Sequence, residues 1–140
     1  VSLIPNITEL LLDRAFISRF QTSLSYSSVY VDFDDTLLVN GKVNAFLMMF
    51  LYQARNQGKR LCLLTRHTSD ILPELEKACI PSSLFSEIIR LDETGSKTDH
   101  IGPDSIFIDD SFSERKRVHD ALGIPVFDLD MVESLIDWRS

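Results

Sequence analysis

At 140 residues, 44% hydrophobic and 25% charged, the chain has the composition of one domain with a real core and falls outside the disordered classes. With 21 acidic residues against 14 basic ones the net charge is −7, and Arg115, Lys116 and Arg117 form the only short basic run, so nucleic acid is a disfavoured partner. No apolar stretch approaches the roughly 18 residues of a membrane span, because the greasiest segment, Phe46 to Tyr52, gives way to Gln, Arg and Asn.

The first residue is Val rather than Met, and no signal peptide precedes the first helical pattern. The expectation is a single cytoplasmic domain over residues 1–140, open to being part of a longer polypeptide. Asn6 and Glu9 have the spacing of a capping box, and Leu10, Leu11, Phe16, Ile17 and Phe20 give a helix near residues 7 to 20 one wide apolar face. The Ser-rich stretch Gln21 to Ser28 completes this N-terminal lead-in and opens on a strand, Val29 to Phe33. Asn40-Gly41, between Val39 and Lys42-Val43, is the signal of a tight hairpin, a small flap after strand one.

Ala45 to Asn56 reads as a buried helix stopped near Gly58, and Leu61-Cys62-Leu63-Leu64 as a strand covered on both faces. The alternation continues: a helix over Asp70 to Ala78, a strand over Ile88 to Leu91, a short helix near Lys97 and a strand at Ile106-Phe107-Ile108. A helix from Ser113, its N-cap, to Leu122 is closed by Gly123; Val126-Phe127 is the last strand, and Asp130 with Glu133 boxes the last helix. Strands separated by helices imply right-handed crossovers, hence a three-layer, Rossmann-like α/β fold with a mainly parallel five-stranded sheet. Cys62 and Cys79 lack CxxC or Cys/His spacing and read as buried free thiols.

The strand ends carry the chemistry. Tyr30-Val31-Asp32-Phe33-Asp34-Asp35-Thr36-Leu37 ends an apolar run with carboxylates at i and i+2, which alternation can direct into one site. Two carboxylates held that close repel unless a cation neutralises them or one keeps its proton. Strand two delivers Thr65, Arg66 and His67, the segment after strand three Lys97, and strand four Asp109 and Asp110. In open sheets of this type ligands sit beyond the carboxyl ends of the strands, so these groups converge on one edge. There the acids suit a hard divalent cation, with Thr65 and Lys97 left to hold an anionic group against it.

This constellation resembles the haloacid dehalogenase superfamily of phosphohydrolases over about residues 29 to 130. Asp32-Phe33-Asp34-Asp35-Thr36 matches its DxDxT element, Thr65 its strand-two threonine, Lys97 its third motif and Asp109-Asp110 its acidic fourth motif. The resemblance implies a magnesium-dependent phosphomonoesterase. Asp32 would attack phosphorus and form an aspartyl phosphate, and Asp34 would protonate the leaving oxygen and then take a proton from water. Mg2+ would bind Asp32, the main-chain carbonyl of Asp34 and Asp109, with Asp110 behind these ligands or reaching the ion through water, and Thr65 and Lys97 would hold the phosphate; beside what the resemblance implies, Arg66, in the loop beyond strand two, reads either as a further phosphate contact or as an exposed loop residue. The intervals 37 to 60 and 66 to 96 leave no room for an inserted cap domain, which implies a capless member with an open site. A phosphorylated substrate of unset size would then be selected by the flap, the loop at Arg66 to Ser69, a homo-oligomeric partner or an adjacent domain.

Other readings remain beside this one: phosphoryl transfer to an acceptor other than water, a noncatalytic binder of phosphorylated ligands, and a receiver-like signalling module. A receiver would carry its acceptor on the third strand rather than the first. Asp35 reads as a turn residue, and Thr36 as a group that orients Asp34 or closes the turn. His100, His119 and the Arg115 to Arg117 run read as solvated helix positions.

Overall fold

Apolar runs with no polar interruption become the middle of a sheet in the computed structural model, which describes residues 24–66 and 69–138. The chain enters through β1 (Ser28–Val31), turns through the hairpin β2 (Leu38–Val39) and β3 (Lys42–Val43), and runs into α1 (Ala45–Asn56). It then forms β4 (Arg60–Thr65), α2 (Ile71–Lys77) and β5 (Glu87–Arg90). After a 3-10 turn at Lys97–His100 come β6 (Ser105–Ile108), α3 (Phe112–Leu122), β7 (Val126–Phe127) and α4 (Leu129–Leu135). The helix expected near residues 7 to 20 lies outside the described residues.

The five-stranded sheet has the order β5-β4-β1-β6-β7, and every neighbouring pair is parallel. Renumbered within the sheet this is 3-2-1-4-5, the order compatible with a Rossmann-like fold, and distinct from the 2-1-3-4-5 order of receiver-like sheets. The chain reverses direction across the sheet between β1 and β6, where Val29 pairs with Ile106 and Val31 with Ile108.

Side-chain alternation divides the core. Val29, Val31, Leu61, Leu63, Ile106 and Ile108 join one buried cluster with Leu47, Phe50, Leu51 and Ala54 of α1, Leu75 of α2 and Val132 of α4. Their neighbours Tyr30, Cys62, Leu64 and Phe107 join a second cluster with Val118 of α3. Each fully buried Leu, Ile or Phe contributes roughly 1.5–3 kcal/mol relative to exposure, so burial of the paired central strands stabilises the sheet that carries the strand ends.

The hairpin forms where Asn-Gly called for it: Asn40 and Gly41 both have positive φ, +53° and +75°, as a two-residue primed turn requires. Asn44 caps α1 by accepting the Leu47 N–H at 3.2 Å. That helix is less buried than its composition suggests. Leu47, Phe50, Leu51 and Ala54 face the core, while Phe46, Met49 and Tyr52 are exposed, because a helix beside a sheet has only one face to bury. Three further expectations are corrected. Ser111, not Ser113, caps α3; Asp128, not Asp130, caps α4; and Cys79 is exposed just beyond α2, although Cys62 is buried as expected. No helix among the described residues is long and apolar enough to cross a membrane.

Candidate active site

A cleft of about 420 Å³ opens at the carboxyl ends of the sheet strands, next to the point where the chain changes direction between β1 and β6. Asp32, Asp34 and Asp35 line it from the loop after β1, Arg66 from the loop after β4, Lys97 from the 3-10 turn, Asp109, Asp110 and Ser111 from the β6–α3 connection, and Ser113 and Glu114 from the first turn of α3. Of the residues singled out from sequence as site candidates, Asp32, Asp34, Arg66, Lys97, Asp109 and Asp110 therefore share one cavity. Thr65 does not border it: it ends β4 fully buried, its carbonyl accepting the Leu91 N–H at 2.8 Å. His67 is outside the described residues.

Lys97 is the electrostatic centre. Its Nζ donates to Asp109 Oδ2 at 2.7 Å and lies 3.2 Å from Asp32 Oδ1 and 3.7 Å from Glu114 Oε2, while the side chain is only 4% exposed. Burial works against its charge, but the carboxylates of Asp32 and Asp109 outweigh it and hold the ammonium above the ordinary lysine pKa. Asp32 responds in the opposite sense. Burial pushes its carboxyl up to about 7, and Asp109 adds to the rise, against the attraction of Lys97 and the Phe33 N–H that bonds the carboxylate. At Asp32 burial, reinforced by the Asp109 carboxylate, outweighs the attraction of Lys97.

Asp32, Asp109 and Asp110 each offer one oxygen, and the three oxygens lie within 4.8 Å of one another. Asp109 is fixed from several sides: Oδ1 accepts the Ser111 N–H at 2.9 Å, Oδ2 accepts from Lys97, and the carbonyl accepts from Arg115 Nη1 at 2.8 Å. Asp110 is more exposed. Desolvation and the adjacent Asp109 carboxylate raise its pKa, opposed by the Thr36 hydroxyl. Thr36, fully buried, accepts the Asp110 N–H at 3.2 Å and lies 3.4 Å from Asp110 Oδ1, so it steadies Asp110 across the switch point. Asp34 and Asp35 are exposed on the cleft wall, and Asp35 has φ +55°, a left-handed turn conformation that an Asp tolerates.

All-oxygen donors of this density fit a hard divalent cation. Among the described residues the cleft sets six carboxylates, Asp32, Asp34, Asp35, Asp109, Asp110 and Glu114, against two cations, Arg66 and Lys97. Such an excess repels an incoming anion unless further positive charge is present.

Two functional neighbours were not evident from sequence. Arg115 belongs to no solvated face: its side chain is 14% exposed, and besides holding the Asp109 carbonyl it lies 3.5 Å from Asp128. Glu114 meets Lys97 and also accepts from Arg66 Nη2 at 3.4 Å. Each contact spans different elements of the fold, so no local spacing encodes it. Comparisons with protein-family models, with curated proteins and with solved structures gave no match, and the functional reading rests on the cleft itself.

Proposed function

We propose that the chain is a magnesium-dependent phosphomonoester hydrolase of haloacid dehalogenase type, built on a three-layer, capless, Rossmann-like frame with the β2–β3 hairpin as a flap beside the cleft. The observation that carries this reading is the meeting of Asp32, Asp109 and Asp110 around one point, with buried Lys97 bridging Asp32 and Asp109. The two core clusters, each receiving alternate side chains of the same strands, support the layered frame.

Asp32, Asp109 and Asp110 would hold Mg2+, joined by the main-chain carbonyl of Asp34 as the resemblance implies. The bound ion supplies the positive charge that masks repulsion between carboxylate and phosphate. Asp32 attacks phosphorus, forming an acyl phosphate as the ester oxygen departs. Asp34, on the cleft wall, gives that oxygen a proton and then takes one from the water that cleaves the acyl phosphate. Lys97 and Arg66 offset charge on the phosphoryl oxygens, fixed donors aimed at charge that develops during transfer. Thr65, fully buried at the end of β4 directly before Arg66, would hold a phosphoryl oxygen as the resemblance implies.

The test is a panel of phosphorylated sugars, nucleotides, phosphopeptides and small acids, assayed with Mg2+ and with chelator, beside Asp32→Asn. Turnover is expected only with Mg2+, and Asp32→Asn is expected to lower kcat by about 10³-fold or more with the fold intact. Undiminished turnover by the variant would remove Asp32 as nucleophile.

A further inference from the structure

We propose that Glu114 is the positioning residue of the cleft: its one carboxylate sets Lys97 and Arg66, which arrive on two different loops, at the end where the phosphoryl group is held. The proposal rests on the phosphohydrolase reading.

Local sequence gives Glu114 a different task. Ser111 and Glu114 have the S-x-x-E spacing of a capping box, in which the glutamate turns back to the backbone N–H of the serine. Half of that box forms, since Ser111 Oγ accepts the Glu114 N–H at 3.4 Å. The other half is taken over by the metal-binding acid: the Ser111 N–H goes to Asp109 Oδ1 at 2.9 Å. Glu114 is thereby released from the helix terminus and points into the cleft.

There its Oε1 accepts from Arg66 Nη2 at 3.4 Å and from Arg117 Nη1 at 3.1 Å. Its Oε2 is buried, accepts no hydrogen bond and lies 3.7 Å from Lys97 Nζ. Withdrawing a carboxylate this far from water is unfavourable unless neighbouring cations compensate; Lys97 and Arg66 do so from the cleft side and Arg117 from the exposed helix side. The 3.7 Å separation is itself useful. Lys97 has three N–H bonds, one committed to Asp109 and one directed at Asp32; Glu114 attracts the ammonium from beyond hydrogen-bond distance and leaves the third free for a phosphoryl oxygen. Arg66 is tied at its other terminal nitrogen to the Asp92 carbonyl at 2.9 Å, so Glu114 and Asp92 together fix the plane of its guanidinium.

The experiment compares wild type, Glu114→Gln, Arg66→Met and the double variant. Hydrolysis of p-nitrophenyl phosphate is measured with Mg2+, together with inorganic phosphate binding by calorimetry and thermal melting. For Glu114→Gln, kcat is expected to fall about tenfold, while phosphate affinity stays within about threefold and Tm within about 2 °C. Glu114→Gln is expected to raise KM by no more than about threefold, Arg66→Met by about tenfold, and the double variant by no more than Arg66→Met alone, because Glu114 reaches the bound phosphate through Arg66, which Asp92 still holds. Unchanged kcat in Glu114→Gln, or a kcat loss matched by a collapse in Tm, overturns the positioning role; so does an additive rise of KM in the double variant. Should Glu114→Gln fail to fold, Glu114→Asp, whose shorter side chain draws the carboxylate back from Lys97 and Arg66, takes its place: a lowered kcat supports the proposal and an unchanged one overturns it. If wild type neither turns over the ester nor binds phosphate, the phosphohydrolase reading falls as well; normal wild-type behaviour with an unaltered Glu114→Gln removes Glu114 alone.

Discussion

A lysine that is almost wholly enclosed makes sense only as part of a charge group, and Lys97 shows how the group divides its electrostatic load. It raises no objection to its own burial because Asp32 and Asp109 face it, yet it cannot keep Asp32 at an ordinary acidity. The Asp32 carboxyl stands at about 7 against an ordinary 3.8, so between those values the folded chain keeps a proton that the unfolded chain has released. Protonation then favours the fold, and this contribution shrinks as pH climbs from about 4 toward 7. In chelator, Tm should decline between pH 5 and 7.5, and Asp32→Asn should flatten the decline; an equally steep profile in the variant would place the proton elsewhere. At this scale the sequence disclosed the acids and Lys97, because DxD and an acidic pair after apolar strands are local patterns. It hid Arg115, Glu114 and the partner of Thr36. The hydroxyl of Thr36 was expected on Asp34 or on its own turn, and it reaches Asp110 across the sheet instead.

Among the elements, start and stop chemistry was legible wherever one residue had no competitor. Gly123 has φ +69° and open space around its missing side chain, so it closes α3 by backbone freedom alone. Gly123→Ala should cost about 1–2 kcal/mol in urea unfolding, the strain of a left-handed alanine, without affecting turnover. A much larger loss would mean that the cap supports tertiary packing as well. Where several candidates stood together the wrong one was chosen. Ser111 and Ser113 both precede α3, and Ser111 prevails because Asp109 occupies its backbone N–H and fixes the entry. Asp128 prevails over Asp130 by accepting the Leu129 N–H at 2.6 Å. The apolar content of α1 suggested full burial, but content does not say how many neighbours surround a helix, and Phe46, about half exposed, meets the edge of Trp138 with ring centroids 6.0 Å apart.

For the molecule as a whole, the parallel sheet and its hairpin were readable because strand and turn patterns alternated without ambiguity, whereas strand order is a property of pairing. That order brings the ends of β1 and β6 together, and with them every acid of the cation cluster. If these carboxylates hold Mg2+ as proposed, folding and ion binding are linked. At Mg2+ about 100-fold above its Kd the fold should gain about 2.7 kcal/mol, read as a rise in Tm that chelator reverses. Indifference of Tm to Mg2+ at neutral pH would argue that the three carboxylates do not act as one site. Thr36 and Asp110, 74 positions apart, touch through a single hydroxyl. A chain severed in the loop before β6 would thus yield two pieces, neither competent alone, and recovery of ion capture on mixing them would report directly that β6 had docked beside β1.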